Sequence, residues 1–275
     1  MPLNRTRIMG ILNLTPDSFS DGGLHNSMDS ALRRVEQMLQ EGADIIDIGG
    51  YSSRPYADPV SPEEELARIE AITARILDKF PEVIVSIDTF RPKVAERLLD
   101  IGAHIINDIS AGSSLREQTE RKMMELVSRY PDVPYIAMHM QGDPSTMQNR
   151  PQYAQVIQEL SQFFVRIIGQ AREYGIKDIV IDPGFGFGKT LLHNYQMIRD
   201  LEQLTILDVP ILIGISRKSM LYKLLDTTPK DVLEAASALH LKCLEAGAHI
   251  LRTHDVQAAN KIVRLFTYMK ENGIV

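Results

Sequence analysis

The sequence of 275 residues contains a single cysteine and no tryptophan. The lone cysteine, Cys243, excludes an intramolecular disulfide, and its place in an apolar helical stretch predicts core packing. The formal net charge is -6, and no block or stripe of basic residues occurs. Nucleic acid and anionic membrane surfaces are therefore not expected as the main partner, and any anion must be bound locally by a few residues.

Long apolar segments and metal-binding patterns are missing too. The apolar stretch near the N-terminus is interrupted by Asn13 and Pro16, which does not fit a secretory signal, and no segment approaches transmembrane length. We therefore expect a cytoplasmic protein. The seven histidines lack the spacing of a metalloprotease, and no Cys/His cluster could hold zinc.

A five-residue sequence motif that begins with glycine occurs four times, at residues 42–46, 102–106, 175–179 and 247–251. Each copy follows an amphipathic stretch and leads into an apolar run, the pattern of a glycine that ends a helix before a buried parallel strand. The copies are about 60 to 75 residues apart, which leaves room for two strand-helix units each. The sequence therefore predicts an α/β fold, a (β/α)8 TIM barrel, as a single domain over residues 1–275.

Polar residues close most of the predicted strands. The strands are predicted at residues 8–14, 45–48, 83–87, 105–106, 135–138, 179–181, 211–215 and 250–253. The residues at their ends are Asn13, Asp47, Gly49, Asp88, Asn107, Asp108, His139, Asp182, Ser216, Arg217, Lys218, Arg252 and His254. Such barrels carry their chemistry at the C-terminal ends of the strands. Each buried polar group that is left unpaired costs about 1 to 3 kcal/mol. This ring of polar residues around the barrel end is therefore better explained as a ligand site.

The ring is sorted by charge. Strands seven and eight end in Arg217, Lys218, Arg252 and His254, and loops at these two strands commonly hold phosphate in such barrels. Strands three, four and six end in Asp88, Asn107 and Asp182. A carboxylate accepts two parallel N–H groups from a cyclic guanidine as it does from arginine, so this edge suits a flat heterocycle such as a pterin. The sequence therefore predicts a pterin beside a phosphate group.

The segment 182–190 ends in Gly-Lys-Thr like a phosphate-binding P-loop, but Pro183 stands where that motif needs its first glycine. The glycines also fail the dinucleotide-binding pattern. We interpret the segment as a strand that ends in a carboxylate and continues into a loop whose glycines let backbone approach a ligand. Phe185 or Phe187 is expected to cover an aromatic ring, and His139 is expected to be a hydrogen-bonded residue of the barrel and not a base.

Four motifs resemble those of the dihydropteroate synthases, at residues 9–23, 182–189, 216–219 and 252–256. The resemblance covers almost the whole chain. It implies a transferase of folate synthesis that joins 6-hydroxymethyl-7,8-dihydropterin diphosphate to p-aminobenzoate and releases pyrophosphate. It also implies Mg²⁺ as cofactor and a homodimer built through the late helices.

The resemblance further implies a role for individual residues. The pterin is assigned to Asp88, Asn107, Asp182 and Lys218. The diphosphate and its magnesium are assigned to Asn13, Arg252 and His254, with Asn13 as the metal ligand. The p-aminobenzoate region comprises Phe19, Ser53, Arg54, Pro55, Lys218 and Ser219. The residues expected to act in catalysis are Asp88, Asp182, Lys218, Arg252 and His254.

Two other functions share parts of this pattern: a methyltetrahydrofolate-dependent methyltransferase on a related barrel, and a pterin-binding module without turnover. The basic ends of strands seven and eight have no evident use in the first, and the intact Asn13 and Lys218 count against the second.

Two long connections, 15–27 and 50–61, are candidate active-site lids. In the second, Tyr56 replaces a glycine of the family pattern, and its ring is expected to alter the p-aminobenzoate entrance.

Overall fold

The computed structural model describes residues 5–14, 24–52, 60–112, 122–142, 146–147 and 149–275. Strands and helices alternate along these ranges. The strands are β1 Arg7–Asn13, β2 Ile45–Gly49, β3 Ile84–Asp88, β4 Ile105–Asp108, β5 Tyr135–Met138, β6 Ile179–Asp182, β7 Leu212–Ile213 and β8 Ile250–Thr253. The helices are α1 Leu24–Glu41, α2 Pro62–Lys79, α3 Pro92–Asp100, α4 Lys122–Ser128, α5 Val156–Glu173, α6 Leu191–Asp200, a 3-10 helix Leu201–Leu207, α7 Ser219–Tyr222, α8 Leu233–Glu245 and α9 Val256–Glu271.

The eight strands form one parallel sheet in the order β6-β5-β4-β3-β2-β1-β8-β7. A bridge between Ile181 and Ile211 joins the two outer strands and nearly closes the barrel. The predicted TIM barrel is thereby confirmed. β7 is shorter than predicted, because only Leu212 and Ile213 pair with β8; the chain then turns, with the Lys218 N–H bonded to the Ile215 carbonyl. α1 begins at Leu24, inside the connection predicted at 15–27, because the polar composition of a helix's first turn resembles that of a loop.

The repeated glycines end helices, as predicted. All four have a positive φ: +101° at Gly42, +107° at Gly102, +79° at Gly175 and +93° at Gly247. In the first copy the N–H of Gly42 bonds the Leu39 carbonyl and the next N–H, of Ala43, bonds the Met38 carbonyl. The other three copies repeat this pair of bonds, which is the glycine-ended helix stop that leads directly into the next strand.

The residue two positions after the glycine has a second role in three copies. Asp44 Oδ2 accepts the amide proton of Ile8, at 2.9 Å, and so completes the start of β1. The Nδ1 atoms of His104 and His249 accept the amide protons of Val85, at 3.1 Å, and Ile211, at 3.3 Å. The backbone N–H groups of Asp44, His104 and His249 in turn donate to the carbonyl oxygens of the same three partners, Ile8, Val85 and Ile211. The repeat therefore pairs neighbouring strands at the end of the barrel opposite the predicted site.

Side chains inside the barrel change from apolar to polar along four of the strands. An apolar cluster of buried residues fills the end near the strand starts: Met9, Ile45, Ile105, Ile136, Val180, Leu212 and Ile250. Side chains alternate between the two faces of a strand, so the residue two positions later also points inward. Four apolar residues of this cluster are each followed, two positions later, by a polar residue that points inward. The pairs are Ile45 and Asp47, Ile105 and Asn107, Val180 and Asp182, and Ile250 and Arg252.

The remaining core lies between the sheet and the helices. Cys243 is fully buried there as a free thiol, which confirms its predicted packing role. Among the helices of the described ranges, none combines the length and the apolar character needed to cross a membrane.

Candidate active site

Four polar side chains from four strands form a hydrogen-bonded network inside the barrel. Arg252 Nε donates to Asp47 Oδ2 at 2.6 Å, and a terminal nitrogen of the same guanidinium donates to Asp88 Oδ2 at 2.6 Å. Asn107 Nδ2 donates to the same oxygen of Asp47 at 3.1 Å. Residues of β2, β3, β4 and β8 are therefore connected at one place.

Burial and neighbouring charges together shift the pKa values of Asp88 and Arg252 in this network. Burial raises the pKa of Asp88 to about 7; Arg252 opposes this shift and Asp47 adds to it. Burial alone would lower the pKa of Arg252, but Asp47 and Asp88 raise it overall, so the guanidinium stays charged. The site thus contains a fixed cation between two carboxylates, one of which changes its protonation state near neutral pH.

Asp182 and Lys218 form a second part of the site, at the ends of β6 and β7. Asp182 is buried, and its Oδ1 accepts the Gly184 N–H at 2.8 Å. Lys218 Nζ donates to the Phe185 carbonyl and lies 4.5 Å from the centroid of the Phe187 ring. Burial raises the pKa of Asp182 and lowers the pKa of Lys218 to about 8, and each charge opposes the shift of the other. The two groups offer an acceptor and a donor to one ligand.

The ends of β7 and β8 are linked through Ser216 and His254. Ser216 Oγ lies 3.2 Å from His254 Nδ1 and accepts the His254 N–H at 3.2 Å. The neighbouring Arg217 forms an ion pair with Asp255, with Nε 3.1 Å from Oδ2. This pair lies outside the network of Asp47 and Arg252, and the place of Arg217 among the anion-binding residues stays a prediction.

The loop after β6 corrects one expectation about its aromatic residues. Phe185 is fully buried in the core between sheet and helices, so it does not cover a ligand. The chain reverses at Gly184, where φ is +69°, and the next side chain packs inward against that core. Phe187 is partly exposed beside Lys218, and its role as the ring that covers a ligand stays a prediction.

Two glycines of this loop, Gly184 and Gly188, have a structural role that the sequence did not indicate. A Cβ atom on Gly184 would lie 1.9 Å from the carbonyl oxygen of His139, and one on Gly188 would lie 2.3 Å from that of Gln141. Both residues also have positive φ. The glycines therefore let the loop after β6 pack against the backbone that follows β5, and the ligand contact predicted for them is not needed to explain them.

A metal site built from protein groups alone does not occur in the part of the chain that the structure describes, which holds no cluster of three or more suitable His, Cys, Asp or Glu side chains. Asn13 closes β1, and its Oδ1 lies 3.6 Å from the place of a Cβ on Gly49. Magnesium is usually bound through one or two protein oxygens, with substrate phosphates and waters supplying the rest. One amide oxygen beside a glycine fits that kind of site.

Comparisons with known proteins agree with this geometry. A family model described as "Pterin binding enzyme" matches residues 9–254. The dihydropteroate synthase of Escherichia coli strain K12 is 42% identical over 277 residues, covering 99% of this chain and 95% of that protein. The chain belongs to the dihydropteroate synthase family.

Solved structures of dihydropteroate synthases have the same fold. The Yersinia pestis enzyme in a sulfonamide drug complex has a TM-score of 0.90 and 38% identity, covering 98% of this chain and 96% of that one. The Xanthomonas albilineans enzyme with 4-aminobenzoic acid has a TM-score of 0.89 and 37% identity, covering 98% and 95%. Membership of this family makes the chain a transferase of folate synthesis.

Most of the predicted site residues lie together. Asp88, Asn107 and Arg252 share the hydrogen-bonded network, and Asp182 and Lys218 interact electrostatically with members of it. The remaining residues follow the strands or begin α7: Asn13 and His254 lie at the ends of the paired strands β1 and β8, and Ser219 starts α7. Four predicted p-aminobenzoate residues and one predicted departure from the family lie outside the described residues: Phe19, Ser53, Arg54, Pro55 and Tyr56.

Proposed function

We propose that this protein condenses 6-hydroxymethyl-7,8-dihydropterin diphosphate with p-aminobenzoate, forming 7,8-dihydropteroate and pyrophosphate. The observation that carries the proposal is the meeting of Asp88, Asn107, Asp182 and Lys218 at the C-terminal ends of four strands of one barrel. That end is where such barrels carry their active sites. The relatives named above support the reaction and its two substrates.

The pterin fits the acidic part of the site. The Asn107 amide donates to Asp47, so its carbonyl oxygen is left to accept an N–H of the heterocycle. Asp182 has a second carboxylate oxygen in addition to the one bonded to Gly184, and it suits the amino-amidine edge of the pterin. Phe187 offers a ring face beside Lys218, against which a flat ligand can stack.

We propose that the reaction begins with cleavage of the exocyclic carbon–oxygen bond, whose electron pair leaves with pyrophosphate. The resulting pterin methylene cation is stabilised by the carboxylates of Asp88 and Asp182, and the pyrophosphate by Arg252 and His254. The amine nitrogen of p-aminobenzoate then forms the carbon–nitrogen bond and loses a proton to solvent. No strong base is needed, because an aromatic amine is already neutral at physiological pH.

In this proposal Asn13 would hold magnesium beside the diphosphate. When bound, the ion supplies positive charge to the leaving group. Lys218 and Ser219 border the p-aminobenzoate region from the start of α7, with Phe19, Ser53, Arg54 and Pro55 expected to complete it.

We also propose a cytoplasmic homodimer. Large apolar side chains are exposed on the later helices and in the turn after α7, and these are the surfaces that a symmetric partner could cover: Leu191, Leu192, Ile206, Leu224, Leu225, Leu233, Leu265 and Tyr268. Light scattering of the purified protein tests the dimer, and charged substitutions at Leu192 and Leu233 should give a monomer.

The test of the reaction is pyrophosphate release from the dihydropterin diphosphate with magnesium, with and without p-aminobenzoate. Release that depends on the amine supports the synthase. Binding of the pterin without release would favour a non-catalytic module, and methyl transfer from methyltetrahydrofolate would favour the methyltransferase. Omission of magnesium is expected to abolish release, and Asn13→Ala is expected to raise the magnesium concentration needed for half-maximal rate.

A further inference from the structure

We propose that Asp47 is a positioning residue for this reaction, acting through Arg252 and Asn107. The inference rests on the proposed function, to which it adds a residue that does not meet the substrates. Asp47 lies on β2 and is fully buried. Both groups that contact it are residues assigned to substrate: the Arg252 guanidinium and the Asn107 amide.

One oxygen of Asp47 makes both contacts. Oδ2 accepts from Arg252 at 2.6 Å and from Asn107 at 3.1 Å, and buried Oδ1 has no partner among the described residues. Hydrogen bonding alone would need only a single acceptor. The second, unpartnered oxygen indicates that the negative charge is the property in use, because a buried carboxylate is costly and a neutral acceptor would serve as well for two hydrogen bonds.

The charge has a definite task in this arrangement. Arg252 is shared between Asp47 and Asp88, each at 2.6 Å. Without Asp47, the guanidinium would have Asp88 as its one close carboxylate in the network and would pair fully with it. Asp88 would then be less available to the pterin and Arg252 less available to the diphosphate. Asp47 therefore keeps both groups oriented toward ligand, and it also fixes which end of the Asn107 amide faces the pterin.

The chain provides a matched control on the same strand. Asp44 immediately precedes β2, at its other end, and pairs with Arg5 and Arg7 while accepting the Ile8 N–H. Asp44→Asn and Asp47→Asn both neutralise a carboxylate bound to arginine. A merely structural role predicts similar results for the two, whereas a positioning role predicts a kinetic loss for Asp47 alone.

The first experiment compares kcat, the two KM values and Tm for the wild type, Asp47→Asn, Asp47→Ala and Asp44→Asn. Asp47→Asn leaves an acceptor oxygen in place and removes the charge. We expect both Asp47 variants to lower kcat/KM for the dihydropterin diphosphate at least tenfold, while KM for p-aminobenzoate stays within about twofold. Asp44→Asn should lower Tm and leave both kinetic constants within about twofold. Equal kinetic losses for Asp44→Asn and Asp47→Asn would overturn the inference.

A double-mutant cycle then tests whether Asp47 acts through Arg252. The readout is the Kd of 6-hydroxymethylpterin by calorimetry, which does not require turnover. In the otherwise wild-type protein, Asp47→Asn should raise the Kd of the pterin. In the Arg252→Ala protein, the same substitution should change the Kd by less than about twofold. An undiminished factor in the Arg252→Ala background would contradict the inference. A wild type that binds the pterin and makes no pteroate would reject the proposed reaction, and the calorimetric cycle would still decide the role of Asp47.

Discussion

The Nζ atom of Lys189 lies 3.0 Å from Nδ1 of His139, and this contact joins the segments that follow β5 and β6. The same nitrogen donates to the carbonyl oxygens of His139, Gly184 and Phe187. Lys189 is 3% exposed, so the resemblance of its motif to a phosphate-binding loop has a structural explanation: the ammonium satisfies backbone carbonyls and does not face a ligand.

Replacing Lys189 by methionine should destabilise the protein by at least about 3 kcal/mol, because several buried acceptors each lose their donor at about 1 to 3 kcal/mol. Urea denaturation measures the change. His139→Asn keeps a side-chain acceptor near the same place and should cost less. A Lys189→Met protein with unchanged unfolding free energy would show that water replaces the ammonium without cost.

Two of the three glycines in the loop after β6 should respond differently to replacement by alanine. At Gly184 a Cβ would lie 1.9 Å from the His139 carbonyl oxygen, whereas at Gly186 its nearest neighbour would be Lys218 Cδ at 3.5 Å. Both have positive φ, which costs about 1 to 2 kcal/mol for a residue with a Cβ. Gly186→Ala should lower the free energy of unfolding by only that amount, and Gly184→Ala should lower it clearly more. Urea denaturation measures both changes. Equal losses would mean that the segment after β5 moves aside freely.

Sequence periodicity predicted the barrel and most of the site residues, because both follow from local rules. The glycine that ends four of the helices and the polar residue two positions after an inward apolar one, such as Asp182 after Val180, are visible in a few letters. The pairing of Arg252 could not be predicted in this way. Its partners Asp47 and Asp88 are 205 and 164 positions away, and the choice among acidic strand ends depends on the closed barrel.

The burial of Phe185 was unpredictable for a related reason. A loop side chain has no periodicity, so its direction depends on the φ of the preceding glycine and on the core that it meets. The role of Lys189 likewise needed three-dimensional information, since its acceptors come from two separate loops.

The histidines of the repeat should make stability depend on pH. His104 and His249 accept an amide proton through Nδ1, and burial lowers the pKa of both below the ordinary 6.5. The unfolded chain therefore binds more protons than the native one as the pH falls below about 6.5, and the free energy of unfolding decreases there.

The matched variant is the double substitution His104→Asn and His249→Asn, because a side-chain amide oxygen does not titrate and can accept the same backbone N–H. A carboxylate oxygen of Asp44 has this acceptor role in the first copy. Urea denaturation at pH 7 and pH 5 should show a smaller pH dependence in the double variant than in the wild type. An identical dependence in both proteins would remove these histidines as its source.

Lys218 and Asp88 should set the pH range of pterin binding. Burial lowers the pKa of Lys218 to about 8 and raises the pKa of Asp88 to about 7. Affinity for 6-hydroxymethyl-7,8-dihydropterin diphosphate should therefore be highest between these values and fall on both sides. Lys218→Met should bind more weakly at pH 7.5 and lose the alkaline decline. An alkaline decline that begins only near pH 10 would contradict the lowered pKa.

The same shift of Lys218 affects stability with a defined sign. Its native pKa of about 8 lies below the 10.5 of an ordinary lysine, so between these values the unfolded chain binds more protons. The contribution of Lys218 to the free energy of unfolding should therefore increase with pH between about 8 and 10.5. This increase should be absent in Lys218→Met.

The most direct test of the whole account is the amount of 7,8-dihydropteroate formed from the two substrates with magnesium, measured by mass spectrometry for the wild type and Asp182→Asn. The proposed reaction predicts product from the wild type in a one-to-one ratio with pyrophosphate. The rate should be lower by about a hundredfold or more in the variant, the scale of losing one preorganised electrostatic partner. Equal rates in the two proteins, or pyrophosphate without dihydropteroate, would contradict it.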